Sequence, residues 1–235
     1  PQNLERIYNF FFILFILINM SVSILIPTYN RKQFEKLINI NIKTQTYPLI
    51  KEIIICDDGE DDSLLLDLPY TILYYKTTRM SIGEKRNFLK SKASGDYLIH
   101  MDTDDFYHPD YVSNSVFNLI STGKELSGSA DMIMYFDEKT YLMRCIYLTS
   151  LNEATLCYTK KYAEDNHFTE ANSSEGLTFC KLKDISELNI NKIMMCICHS
   201  QNTINKKIWV NDKYLVDFDL TIYKKHLEFL SDIIL

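Results

Sequence analysis

The sequence predicts an α/β fold with a mainly parallel, partly mixed central sheet flanked by helices. Three observations carry that reading. Short β-branched, apolar runs alternate with segments of helical period; two of these runs end in adjacent carboxylates; and Gly, Pro and capping residues fall between them. Strands that follow one another through helices build a mainly parallel sheet. With 235 residues, 46% of them hydrophobic and 24% charged, the chain can form one substantial core. A net charge of −6 excludes a general basic surface, so nucleic acid is not an expected partner.

The elements follow in order. Residues 10–18 form an unbroken apolar run, well short of the roughly 20 residues a spanning helix needs. Glu5 and Arg6 cancel the basic start of a secretory signal. Residues 1–19 are therefore expected to lie outside the fold as a non-domain extension, with a short membrane-surface or partner-binding anchor as the alternative. From Met20 the domain begins, and "VSILIP" (22–27) reads as the first strand. Asn30 and Gln33 suggest a capped helix through Phe34, Leu37, Ile38, Asn41 and Ile42, ended by "TYP" at 46–48. "KEIIICDDGEDD" (51–62) is a second strand running into Asp57 and Asp58 and turned by Gly59; "YTILYY" (70–75) is a third.

Ser81 and Glu84 form a capping box for a helix over 81–95, stopped by Gly95. "YLIHM" (97–101) is a strand that runs straight into Asp102, Asp104 and Asp105. Pro109-Asp110 opens a helix whose apolar face is Tyr111, Val112, Val116, Phe117, Leu119 and Ile120, ended by Gly123. Residues 130–137 and 140–148 read as strands about a Glu138-Lys139 turn, and 192–198 as a late strand. The cysteines at 56, 145, 157, 180, 196 and 198 lack zinc-type pairing and sit mostly beside apolar residues, which predicts buried thiols in a reducing compartment.

Like charges about 5 Å apart repel by roughly 3 kcal/mol at an effective dielectric near 20. A cation, a set of donors or water must offset the acids that end these strands. In parallel sheets, ligands lie beyond the carboxyl ends of the strands. Asp57-Asp58 and Asp102, Asp104 and Asp105 all fall there, so two separate segments aim acids at one rim.

"SILIPTYNR", "QTYPLIKEIIICDDGEDD", "GEKRN" and "SGDYLIHMDTDDFYHPDYV" resemble, in order and spacing, the nucleotide-sugar half of family 2 glycosyltransferases over about residues 21–115. The resemblance implies a Rossmann-like GT-A fold, a nucleoside-diphosphate sugar donor with UDP favoured, Mn²⁺ or Mg²⁺, and inversion at the anomeric carbon. It puts Pro27, Thr28 and Tyr29 beside the nucleobase, and matches Asp58 to the acid that hydrogen-bonds the base, with Asp57 structural. It matches Gly83, Arg86 and Asn87 to a donor-binding stretch, in a helical first turn that can present N–H groups to an anion. Lys85 and Arg86 sit poorly against that helix dipole; an acidic partner, a diphosphate or a solvated face would each account for them. The resemblance further sets Asp102 and Asp104 near the ribose and nucleotide, and makes Asp105 the carboxylate ligand of the metal.

In the second half, "TEANSSEGLTFCK" (169–181) loosely fits the family's acidic segment near the acceptor. Glu175, followed by Gly176 and anchored by Phe179, is the expected catalytic base, with Glu170 as the fallback; the family's usual Glu-Asp pair is absent. His199 is the late histidine that resembles a metal or diphosphate contact, and residues 154–164 are expected to wall the acceptor. His167 and Trp209 fall in no motif. The expected organisation is one domain over 20–235: residues 20–125 for the nucleotide sugar, 126–210 for the acceptor, and a tail over 211–235. The acceptor, whether glycan, protein or lipid, stays open. A cytoplasmic location is expected, peripheral to a membrane if residues 1–19 act as an anchor.

Other readings fit less well. "DTDDF" resembles the motif of haloacid-dehalogenase phosphatases, but Phe106 stands where that motif needs Thr or Val. A nucleotidyltransferase would carry a Gly-rich loop after the first strand, and "PTYNRKQ" has none. A catalytically inactive nucleotide-sugar-binding module remains the alternative, and the departure at Glu175 is where it would rest.

Overall fold

The computed structural model describes residues 20–144, 151–181, 185–223 and 227. Its strands are β1 (Val22–Thr28), β2 (Ile50–Asp57), β3 (Thr71–Lys76), β4 (Tyr97–His100), β5 (Asp105–Tyr107), β6 (Leu126–Gly128), β7 (Asp131–Phe136), β8 (Lys139–Arg144), β9 (Cys157–Thr159), β10 (Ile185–Glu187) and β11 (Met194–Ile197). Its α-helices are α1 (Glu35–Lys43), α2 (Ile82–Lys92), α3 (Tyr111–Thr122) and α4 (Lys160–Asp165). A seven-stranded sheet runs β10-β6-β9-β4-β1-β2-β3, and a four-stranded sheet runs β5-β11-β7-β8. β1 is parallel to both β2 and β4, and β2 to β3. β9 is antiparallel to β4 and to β6, which makes the main sheet mixed.

Every residue of β1 is buried, as expected of a parallel strand covered on both faces. Alternate side chains leave on opposite faces. Ile24, Ile26, Ile53 and Ile55 pack with Phe34, Leu37, Ile38 and Ile42 of the α1 region and with Tyr111, Val112, Val116 and Leu119 of α3. Leu25, Ile54, Cys56 and Leu98 pack on the other face with Leu89 and Ala93 of the α2 region and with Tyr162 and Ala163 of α4. Cys56, Cys157, Cys196 and Cys198 are buried thiols. Among the described residues, no helix is long and apolar enough to cross a membrane. Residues 1–19, Cys145, the 145–148 end of the expected second hairpin strand and parts of the tail lie outside the described residues.

The capping box of α2 forms as expected: Ser81 Oγ accepts from the Glu84 amide, and Glu84 accepts from the Ser81 amide. Gly123 ends α3 at φ 65° in the left-handed region. Four local readings change, at Asn30, at the β7–β8 turn, over residues 157–163 and at Gly95. Asn30 does not cap α1; at φ 49° its Oδ1 accepts from the Glu60 amide instead, and a short 3₁₀ turn, Lys32–Phe34, leads into the helix. Asn41 lies in the apolar stripe because its amide bridges to β5, donating to Asp105 O at 2.8 Å and accepting from Tyr107 N at 3.1 Å. The β7–β8 turn is Asp137-Glu138, both at positive φ, rather than Glu138-Lys139. Residues 157–159 lie inside the main sheet as β9, and Tyr162 and Ala163 are in the core, so the segment expected to wall the acceptor is largely interior.

Gly95 does not stop α2 either, since the helix ends at an extended Ala93. Its role is close approach: the Gly95 amide donates to Ser23 Oγ, and a Cβ there would lie 2.7 Å from Ser23 N. Gly95→Ala is therefore expected to destabilise the fold by about 1–3 kcal/mol, as overpacking does. A lower urea midpoint at an unchanged m-value would show it; an unchanged midpoint would refute the close-approach role.

Candidate functional site

The C-terminal ends of β1, β2 and β4 form one rim, with Thr28 opposite Asp57 and Leu25 opposite His100. Asp58 follows β2 with its side chain fully buried. It accepts from the Met80 amide and from Arg79 Nη1, both at 2.8 Å, and forms an ion pair with Lys85. Burial raises the Asp58 carboxyl, but the Lys85 ammonium, the Met80 amide and Arg79 outweigh that and hold it below the usual range. Lys85 also donates to Thr28 O at 2.9 Å. Tyr29 is exposed, and the Arg79 guanidinium lies 3.6 Å from its ring centroid. Pro27 and Thr28 are buried strand residues. Asp57 is structural, as expected: it accepts from Tyr74 Oη, Lys76 Nζ and the Gly59 amide.

Arg86 is the hub of the site. It is 2% exposed. Its Nε donates to Glu175 Oε1 at 2.9 Å, its Nη1 reaches His100 Nδ1 at 2.9 Å, and its Nη2 reaches Asp102 Oδ1 at 3.4 Å. Burial opposes the charge of Arg86, but Asp102 and Glu175 overcome it and raise its pKa. Burial and the adjacent guanidinium push the His100 pKa well down, so the ring is neutral. A guanidinium can only donate. His100 Nδ1 therefore accepts, and Nε2–H faces Tyr158 Oη at 2.8 Å. Burial raises the Asp102 carboxyl against the pull of Arg86.

Gly83 and Asn87 do other work than the resemblance implies. The Gly83 amide donates to Ala171 O, and a Cβ on Gly83 would lie 1.7 Å from Thr169 O. The Ile82 amide donates to Asn172 Oδ1 and the Glu84 amide to Ser81 Oγ, so this first turn has its amides engaged rather than open to an anion. Asn87 brackets Phe168, donating to its carbonyl at 2.8 Å and accepting from its amide at 3.0 Å. Phe168 stacks on the buried Phe179 with centroids 3.9 Å apart. One face of α2 thus docks residues 168–176 and delivers Glu175 to Arg86. Lys85 and Arg86 have acidic partners and no solvated face.

At the other end of the rim, Asp104 Oδ2 lies 3.0 Å from His199 Nε2 and 3.1 Å from Arg31 Nε. Burial raises the Asp104 carboxyl, but His199 and Arg31 together pull it well below the usual range. Asp105 departs from expectation. It lies in β5, 2% exposed, with Oδ1 accepting from the Ile197 amide at 3.1 Å. Burial pushes its carboxyl well above the usual range. A buried strand residue bonded to a neighbouring strand is a poor choice for a rim ligand, so the expected metal role does not rest on Asp105. Among the described residues, no group of three or more His, Cys, Asp or Glu side chains converges as a metal site. Asp104 and His199 do fit the protein's share of a site that draws its other oxygens from a diphosphate, because Mg²⁺-type ions are held by one or two side chains plus substrate phosphates.

The acceptor-side acids also sort themselves. Glu170 is exposed, while Glu175 is buried and committed to Arg86. Glu153, which lies in no recognised motif, stands beside Glu175 on a 3₁₀ turn capped by Asn152. Its Oε1 accepts from the Gly176 amide at 3.2 Å. Burial and the Glu175 charge raise its carboxyl to about 7. The one sequence signal was "NEAT", an Asn cap followed by an acid in an otherwise apolar stretch.

Arg86→Met should leave Asp102 and Glu175 facing an apolar side chain. Removing one partner of a buried ion pair costs about 3–5 kcal/mol, so a comparable loss of unfolding free energy is expected in denaturant titration. A loss under about 1 kcal/mol would mean that Arg86 does not organise the site.

The family model for glycosyl transferase family 2 matches residues 23–164, more than half of the chain. Over 102 residues the chain is 28% identical to glycosyltransferase GlyA of Streptococcus pneumoniae, covering 41% of this chain and 14% of that protein. An uncharacterized glycosyltransferase of Rickettsia typhi is 27% identical over 97 residues, 40% of this chain and 30% of that protein. The chain thus spans a minor part of the curated relatives it matches. In structure it is similar to S. aureus TarS 1-349 in complex with UDP-GlcNAc, with a TM-score of 0.61 at 17% identity over 78% of this chain and 60% of that one. The mannosyltransferase PcManGT from Pyrobaculum calidifontis, in complex with GDP-Man and Mn²⁺, gives a TM-score of 0.56 at 14% identity, covering 78% of this chain and 59% of that one. These likenesses show a GT-A fold; with the sequence match over residues 23–164, they establish that the chain belongs to glycosyl transferase family 2.

Proposed function

We propose that the chain transfers a sugar from a nucleoside-diphosphate sugar to a hydroxyl acceptor, with inversion and with a divalent ion, Mn²⁺ or Mg²⁺. The observation that carries the reading is the convergence of Asp58, Asp102 and Asp104 on the C-terminal rim of adjacent parallel strands, in a chain of this family. Residues 20–125 supply that rim and residues 126–210 supply Glu175, Glu153 and His199.

Asp58 and Tyr29 form the base end. A carboxylate accepts only, so it suits the imide N–H of uracil, which favours a UDP-sugar. Arg79 is the movable partner there, with a side chain 58% exposed. It lies over the ring face that a flat base would take. Asp102 is placed for ribose hydroxyls, held by Arg86. Asp104 and His199 would hold the ion, whose charge offsets that growing on the leaving diphosphate. Arg31 and Lys85 add fixed positive charge along the same rim. Neutral His100 and buried Arg86 keep the floor of the site rigid and closed to water.

A second reading, a binding module without catalysis, is favoured by the burial of Glu175 and its commitment to Arg86. Titration of the chain with UDP and UDP-GlcNAc, each with and without Mn²⁺, tests both readings. Metal-enhanced binding is expected. Asp104→Ala and His199→Ala should each weaken the metal-dependent part by roughly 10-fold or more, since each would remove one of the one or two side chains that hold such an ion. Calorimetry showing no nucleotide binding under any condition would remove both readings. Binding without UDP release from the sugar nucleotide would leave the module.

A further inference from the structure

Gly176 and Glu153 share one space. A β-carbon on residue 176 would stand 2.9 Å from both Cγ and Oε1 of Glu153. The room left by the missing side chain is where the Glu153 carboxylate lies, fixed by the Gly176 amide. Next to it, Glu175 is tied to Arg86 through Nε at 2.9 Å. Glu175 is a counter-charge of a permanently charged, buried guanidinium, and taking such a partner away is costly. Glu153 carries no such burden: backbone amides hold it, and it enters no ion pair among the described residues. It is also partly exposed, where Glu175 is 4% exposed.

We infer that Glu153, rather than Glu175, takes the proton from the acceptor hydroxyl, and that Glu175 is its positioning partner. This rests on the glycosyltransfer reading above. In the step, the acceptor O–H proton passes to a Glu153 carboxylate oxygen as the acceptor oxygen bonds to the anomeric carbon. The bond from that carbon to the diphosphate oxygen breaks, and its electron pair leaves with the diphosphate. The charged groups that face Glu153 are Glu175, which raises its pKa, and Arg86, which lowers it. Burial and Glu175 bring the carboxyl to about 7, close to the working pH that suits a general base.

The test uses the full chain with Mn²⁺ and a panel of UDP-GlcNAc, UDP-glucose and GDP-mannose. It follows nucleoside diphosphate release, with water as acceptor, from pH 5 to 9. In the wild type the turnover should rise with pH through about 7, as Glu153 loses its proton. Glu153→Gln should lose roughly 10²–10⁴-fold in turnover with UDP affinity unchanged by calorimetry. Glu175→Gln removes the like charge beside Glu153, so its rising limb should move to lower pH; a merely structural Glu175 would not move it. Glu153→Ala combined with Gly176→Asp should recover part of the turnover lost in Glu153→Ala, because the new side chain enters the vacated space.

Folding of Glu153→Gln is read separately. Since the folded-state pKa of Glu153 is raised from 4.5 to about 7, its ionisation costs stability progressively as pH rises across that window. The variant should therefore melt at or above the wild type at pH 8, with the difference shrinking as pH falls and vanishing below about pH 4. Glu153→Gln with wild-type turnover, or a Glu175→Gln variant that alone loses it, overturns the assignment of the base while leaving the donor site intact. Wild-type binding of UDP with no release from any of the three donors overturns it in favour of the binding module. No nucleotide binding at all overturns the site reading, and this inference falls with it.

Discussion

A single buried guanidinium organises the site. Arg86 cannot shed its charge, so its burial is tolerable only where acceptors surround it. The rigid fork meets three of them from separate parts of the chain: His100 at the end of β4, Asp102 just beyond, and Glu175 eighty-nine residues away in sequence. That requirement explains features around it that look unrelated. Gly83 lets the carbonyl of Thr169 approach α2, Asn87 clamps Phe168, and the Phe168–Phe179 stack fixes the far side of the same segment. His100 is neutral because it answers a cation, and its one remaining proton is thereby aimed at Tyr158.

The same logic resolves the repulsion along the rim. Each acid already has a cation of its own: Lys85 and Arg79 at Asp58, Arg86 at Asp102, and Arg31 beside His199 at Asp104. The rim therefore forms without any ligand to neutralise it. Lys85 and Arg86 are interior, with side chains 4% and 3% exposed, whereas the Arg79 side chain is 58% exposed. The interior pairs set the shape of the site, and the exposed one can exchange partners at little cost.

What was legible in the sequence was what local pattern determines. The buried strands announced themselves by β-branched runs, α2 by its Ser81–Glu84 box, α3 by Gly123, and the rim by acids at strand ends. What was not legible depends on contacts distant in sequence. Asn30 looked like a helix cap because the motif is local, but its oxygen is claimed by a turn thirty residues away. Asp105 looks like its neighbours Asp102 and Asp104, yet the chain re-enters a strand at once, and the Ile197 amide of β11 claims its carboxylate. Gly83 and Asn87 have the backbone of residues 168–171 as partners, and no spacing rule relates the two stretches. Glu153 sits in no motif because its significance comes from a glycine that packs against it in space.

β9 has a bearing on how the chain is made. Among the described residues, this short strand is the link in the main sheet between β4 and the β6–β10 pair. The β4-β1-β2-β3 core can assemble once residue 100 has been synthesised, since all four strands precede that point. β6, although made soon afterwards, has no place to dock until Cys157–Thr159 emerges. During that interval β4 presents an open edge, the kind of surface that recruits other chains. The antiparallel insertion therefore acts as a clasp closed late in vectorial synthesis, and the length of chain between β4 and β9 sets how long the nascent protein is exposed to mispairing.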